Sequence, residues 1–112
     1  MSALAAAEAL SLGSLVTPTE QGIASRVLAR TGGGSVTLFA FDSGQGLSEH
    51  VSPFDALVLV QEGALNLSIG GQQVRAVPGT VVRMPAGVPH ALEAEGPARM
   101  LLVMLREPPL SS

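Results

Sequence analysis

Short runs in which apolar and polar residues alternate follow one another from residue 24 to residue 106. Alternation with a period of two marks a strand buried on one face. The runs predict strands at 24–30 (ASRVLAR), 35–42 (SVTLFAFD), 56–62 (ALVLVQE), 64–69 (ALNLSI), 73–77 (QVRAV), 80–84 (TVVRM), 89–93 and 98–106 (ARMLLVMLR). Turn residues separate them: Gly32-Gly33-Gly34, Gly44 and Gly46, Gly63, Gly70-Gly71, Pro78-Gly79, Pro85 to Pro89, and Gly96-Pro97. Short strands at fairly regular spacing predict antiparallel sheets folded into a sandwich or barrel. "SIGGQQV" reads as a hairpin closed by two glycines. The opening "MSALAAAEALSLGS" departs from this pattern. Alanine and leucine favour helix, so a short N-terminal helix is expected, packed on the domain or on a partner subunit. The tail "EPPLSS" reads as a frayed end.

Composition narrows the field. A chain of 112 residues makes one domain. Its apolar fraction is 46% and its charged fraction 13%, more grease than a small monomer needs. A homodimer is therefore expected, with residues 15–31 reaching across. The net charge is −3, and the six basic residues, all arginine, are scattered. Without a basic stripe a nucleic-acid partner is not expected. The absence of cysteine rules out disulfides, zinc ribbons and thiol catalysis. Apolar stretches such as "LLVML" (101–105) are far shorter than a membrane span. The N-terminus has no Lys or Arg ahead of its apolar run and carries Glu8 within it, unlike a secretory signal. A cytoplasmic protein without a membrane partner is expected.

The candidate chemistry centres on "GTVVRMPAGVPHALEA" (79–94). Here Pro85, Gly87 and Pro89 break a strand just before His90, one of two histidines in the chain. Gly79, Pro85, Gly87 and His90 follow the spacing G-x5-P-x-G-x2-H. Upstream, Gly44 and His50 are separated by five residues, and Gly63 closes that segment. Over roughly residues 34–106 the chain resembles a small single-domain cupin of the RmlC-like kind, whose two signature motifs have this order and separation. The match is partial. Ser52 stands where the first motif has its second histidine, Leu57 or Ala56 where it has glutamate, and Ala94 where the second motif ends in asparagine.

The resemblance implies an all-β fold, a cupin jelly-roll antiparallel β-barrel. Residues 1–33 would form the N-terminal helix and leading strand, and 34–112 the barrel, in one domain overall. It also implies that His50 and His90 point into one barrel cavity, the largest pocket of the domain. Ser52, Leu57, Leu59, Met84 and Leu92 are expected on its walls. Phe39 and Phe41, two apart on one strand, either floor this pocket or pack between the sheets. Metal-holding cupins generally use three histidines and a glutamate. Here a divalent transition metal (Zn, Ni, Fe or Mn) would rest on His50 and His90, with Asp55 as the nearby carboxylate that completes a set. Glu49 and Glu93 neighbour the histidines, but alternation sends them to the opposite face. The competing reading is a metal-free pocket in which the two imidazoles bond each other, Ser52 or water.

Three functional classes remain, because fold alone does not select among them. The first is a cupin that binds a small molecule in its cavity, around a divalent metal or without one. The second is a metal-dependent oxygenase or isomerase, which the short ligand count disfavours. The third is a metal-free, epimerase-like biosynthetic enzyme with a cavity histidine as base. That one normally wants a tyrosine acid, and this chain has no tyrosine. The first class leads.

Overall fold

The computed structural model describes residues 4–106. They form nine strands: β1 (Ile23–Thr31), β2 (Gly34–Phe41), β3 (Gly46–His50), β4 (Asp55–Glu62), β5 (Leu65–Ile69), β6 (Gln72–Ala76), β7 (Val81–Met84), β8 (His90–Ala94) and β9 (Ala98–Leu105). All pairings are antiparallel. One sheet has the order β1-β2-β9-β4-β7 and the other β3-β8-β5-β6. The two sheets face each other as the jelly roll that the strand pattern and the motif spacing imply. The glycine hairpin is in place, with Ser68 opposite Gln73 and Ile69 opposite Gln72.

Each strand sends one set of alternating side chains between the sheets. From the first sheet come Phe41, Val58, Val60 and Met100, and from the second Leu65, Leu67 and Leu92. A second, smaller core lies on the outer side of the five-stranded sheet. There Leu38 and Ala40 of β2 are covered by Val16, Leu12 and Leu15 of the N-terminal segment. Arg99 reaches beneath that segment, and its Nη1 donates to the Val16 carbonyl at 3.2 Å. Its Nε lies 3.7 Å from a Glu62 carboxylate oxygen, too far for a hydrogen bond, and is buried without another partner among the described residues.

Two sequence expectations are corrected here. The N-terminal helix does not form over residues 4–14; only a single 3-10 turn, Leu12–Ser14, is present. Residues 1–3 lie outside the described residues. Isolated helices of this length are marginal in water. Ala7 takes a left-handed φ of 59°, which ends any helix there, and the leucines are used instead to cover Leu38. Strand β3, in turn, is absent from the predicted set. Its residues Ser48, Glu49 and His50 are all exposed, so no apolar alternation announces it.

The mouth of the barrel is assembled by two loops that hold each other. In the corner between β7 and β8, the Gly87 N–H donates to the Ser52 carbonyl at 2.9 Å. The Ala86 N–H donates to Asp55 Oδ1 at 2.8 Å. Arg83 Nη2 donates to Asp55 Oδ2 at 2.9 Å from the same side. Farther along, the Gly70 N–H donates to the Pro89 carbonyl at 2.8 Å, which fixes the chain just ahead of His90.

Gly87 has a φ of +76°, with open space where a Cβ would lie, whereas Gly63 combines a φ of +68° with a Cβ position that collides with the Pro97 carbonyl. Gly87→Ala therefore carries only the left-handed backbone cost, about 1–2 kcal/mol. Gly63→Ala should lower the melting temperature by clearly more, because the chain must also move away from Pro97. Thermal denaturation of the two variants checks the ranking.

Three exposed carboxylates are held below their ordinary values in the folded chain. Asp55 is lowered by the Ala86 N–H and then by Arg83, Asp42 by the N–H groups of Gln21 and Ser43, and Glu95 by the side chain of Arg75. A lowered value in the fold means that the unfolded chain takes up protons first as pH falls. The stabilisation is complete above the ordinary values, 3.8 for aspartate and 4.5 for glutamate, and is lost as pH falls through the folded ones. Melting temperature should be flat from pH 7 to about 5 and drop below about 4. Asp55→Asn should start lower at pH 7 and lose less on acidification.

Candidate functional site

His50 ends β3 and His90 begins β8, and the two residues are direct cross-strand partners. Their Nε2 atoms are 3.1 Å apart. The rings meet edge to face, with centroids 4.3 Å apart and planes at 71°. A bulge makes this meeting possible. Leu47 pairs with Leu92 and His50 with His90, so three steps on β3 match two on β8. The extra residue turns His50 to the same side as Leu47, although strict alternation would separate them. His90 is buried and His50 is exposed at the rim.

Each imidazole is oriented by its own backbone. His50 Nδ1 lies 2.8 Å from the Ser48 carbonyl, and His90 Nδ1 lies 3.1 Å from the Val88 carbonyl. A carbonyl oxygen can only accept, so each Nδ1 carries the hydrogen. In the neutral tautomers both Nε2 atoms then bear lone pairs, and these point at each other. Two lone pairs 3.1 Å apart repel unless something positive or hydrogen-donating joins them.

The pair opens on a cavity of about 50 Å³. Ser52, Met84 and Leu92 line it with the histidines, as the sequence indicates. Leu47, Ala56, Ala91, Met100, Leu102 and Met104 complete the lining, and none of these was singled out from sequence as a cavity residue. Ala56, Met84, Met100 and Met104 carry a usable signal in strand parity once the register is known. The hydroxyl oxygen of Ser52 accepts the Phe54 N–H at 3.1 Å and keeps its own hydrogen free for the cavity.

Several expected residues lie elsewhere. Leu57 and Leu59 are on the outer face of the five-stranded sheet, because β4 turns Ala56, Val58 and Val60 inward. Both alternating sets of "ALVLV" are apolar, so its sequence does not reveal which faces the core. Phe39 and Phe41 pack between the sheets, their rings stacked at 5.8 Å, and do not line the cavity. Asp55 does not complete a metal set. Both of its oxygens are engaged by Arg83 and Ala86, on the far side of the corner, where it lines a different surface hollow. The cavity is also not the largest in the domain. An open outer groove of about 520 Å³ runs along Gly46, Asn66, Gln73 and Glu93 on the other face of the second sheet.

The described residues contain no group of three or more His, Cys, Asp or Glu side chains fit to hold a metal. Divalent zinc, nickel, iron or manganese wants three or more protein donors, usually including an anion. Two neutral imidazoles do not fit that requirement.

None of the curated proteins matches the chain. Among solved structures, a conserved protein of unknown function from Streptococcus pyogenes is 33% identical, covering 95% of this chain and 93% of its own, with a TM-score of 0.88. A cupin superfamily protein from Desulfitobacterium hafniense is 30% identical over 93% of this chain and 95% of its own, with a TM-score of 0.86. An RmlC-like cupin from Shewanella frigidimarina shares the fold at 14% identity, with a TM-score of 0.77 over 92% of this chain and 93% of its own. The family model described as "Cupin domain" matches residues 37–104, from the middle of β2 to the end of β9. Cross-strand histidines at the mouth of a two-sheet jelly roll and this match lead to one conclusion: the chain belongs to the cupin-domain family.

Proposed function

We propose that the protein binds a small ligand at the barrel mouth, with the facing Nε2 atoms of His50 and His90 as the point of attachment. The observation that supports this most is that each Nδ1 lies within hydrogen-bond reach of a backbone carbonyl, 2.8 Å for His50 and 3.1 Å for His90. Both Nδ1 atoms are committed to carbonyls, so both Nε2 atoms are left as acceptors in a wall that is otherwise apolar. What binds there should therefore donate, as a hydroxyl, an ammonium or a cation does. A few convergent polar groups in an apolar hollow are the usual make-up of a binding site. The small volume restricts what enters. Ligand pockets usually measure about 300–1,000 Å³, so a cavity of about 50 Å³ takes only a small part of a ligand. The rest of a larger ligand would lie at the rim, beside the exposed His50 and Val51. An epimerase-like reaction is less well supported, because no tyrosine is present to act as the acid opposite a histidine base.

A screen of small alcohols, amines and carboxylates by amide chemical-shift perturbation tests this reading. Alcohols or amines should move the resonances of His90, Leu92 and Met84, carboxylates should not, and His90→Leu should abolish the response. Perturbations confined to Gly46, Asn66 and Gln73 would transfer the site to the outer groove.

We also infer a homodimer, formed by the outer face of the five-stranded sheet. Leu38, Leu101, Leu59 and Val81 are successive cross-strand partners there, and Val36, Val103 and Leu57 make a parallel row. A strand that is apolar on both faces is normally covered on both. The N-terminal segment covers the Leu38 end, while Val81 at the other end is 59% exposed. A second copy, turned by a two-fold axis, would bring the same apolar rows onto this end. Light scattering should return twice the 11.4 kDa chain mass. Leu59→Arg should return a single chain with the fold intact. A wild-type mass near 11.4 kDa would refute the dimer.

A further inference from the structure

The cavity holds one more kind of donor, and it faces the histidines. Ala56 of β4 has Met84 of β7 as cross-strand partner on one side and Met104 of β9 on the other. Cross-strand partners share a face of the sheet, and all three residues line the cavity opposite the second sheet, which carries His50 and His90. Met100 lies deeper on the same strand as Met104 and also lines it. Three of the chain's four methionines thus border a space of about 50 Å³ with both of its histidines. The short Ala56 side chain between Met84 and Met104 leaves that space open.

From this donor set we propose that the cavity is a site for a soft monovalent metal ion, copper(I). Charge is the first reason. Imidazoles and thioethers are neutral, no carboxylate or cysteine joins them among the described residues, and the wall is apolar. The cost of removing an ion from water rises with the square of its charge, so an uncompensated divalent ion is disfavoured far more than a monovalent one. Softness is the second reason. Thioether sulfur prefers copper(I) over zinc, manganese or iron, and imidazole accepts copper readily. Geometry is the third. Two nitrogens bound tetrahedrally to one metal at about 2.0–2.1 Å stand about 3.3–3.4 Å apart, within a few tenths of an ångström of the 3.1 Å found between the Nε2 atoms. Methionine side chains are unbranched and adapt their rotamers, so the sulfurs can close on an ion without moving the strands. This proposal rests on the reading of the His50–His90 pair as the attachment point, and narrows its ligand to a metal.

The test is an anaerobic titration of the whole protein with copper(I) against a colorimetric copper(I) chelator, alongside zinc(II) against a zinc chelator. One copper(I) per chain should bind, with zinc(II) at least about a hundredfold weaker. The S-methyl resonances of Met84 and Met104 should shift on copper(I) addition. The double variant Met84→Leu/Met104→Leu, which conserves volume and so should keep the fold, should lose about tenfold or more in copper(I) affinity. His90→Ala should abolish binding. Zinc(II) binding as tight as copper(I), or copper(I) affinity unchanged in the double methionine variant, would overturn the proposal and leave the methionines as packing. A protein that takes up no copper(I) yet still answers alcohols or amines at His90 would also overturn it, while the ligand reading stands. If copper(I) binds as expected and no organic donor does, the copper proposal survives and the wider ligand reading narrows to metal alone.

Discussion

The working end of this barrel depends on the mutual grip of two loops. The corner before β8 has its own reasons to be rigid in Pro85 and Pro89, but rigidity alone does not say where it sits. The Gly87 N–H on the Ser52 carbonyl and the Ala86 N–H on Asp55 place it against the loop that follows β3. His90 therefore emerges at the level where β3 ends in His50. Each of these bonds involves a charged group or backbone at the rim of the cavity, where an unpaired partner costs more than in open water. Asp55 is the clearest case. As a lone carboxylate near two histidines it looks like a ligand, yet its place is structural, and the absence of an anion in the cavity follows from that.

That absence shapes the chemistry. A cavity with three histidines and a glutamate offsets much of a divalent ion's charge. Here the polar atoms are two imidazole nitrogens and one hydroxyl, surrounded by alkyl groups and thioethers. The backbone carbonyls of Ser48 and Val88 hold both rings so that their Nε2 atoms converge, which would order the proposed site ahead of any ligand. Preorganisation of this kind lowers the cost of binding, because little rotamer freedom remains to be lost.

Much of this was legible in the sequence where two signals coincided. Eight of the nine strands follow from alternation and turn residues, and the histidine pair follows from motif spacing. Ser52, Met84 and Leu92 fall in the same hollow as the histidines because they sit at fixed offsets from those motifs or within strands of clear parity. The failures have physical causes. In "ALVLV" both parities are apolar, so Leu57 and Leu59 could not be told from Ala56, Val58 and Val60 without knowing what covers the outer face. Strand β3 presents exposed polar residues and an irregular register, and neither resembles a half-buried strand. The alanine-rich start has helix propensity, but its leucines gain more by covering Leu38 than a short helix would gain on its own. The role of Arg99, burying a guanidinium beneath Val16, depends on a contact 83 residues away in sequence that no local pattern encodes.

The bulge in β3 has a wider meaning. β3 is an edge strand, bonded in its sheet to β8 alone, so a change in its length disturbs one neighbour rather than two. If the same residues paired without the bulge, simple alternation over three steps would put His50 on the face opposite Leu47 and swing the imidazole out to solvent. The polar centre of the cavity thus hangs on the parity of a three-residue interval. In a lineage of such proteins, gain or loss of the bulge at an unchanged spacing would act as a discrete toggle, turning a donor inward or outward in one step where point substitution would need a new residue type at an unchanged position.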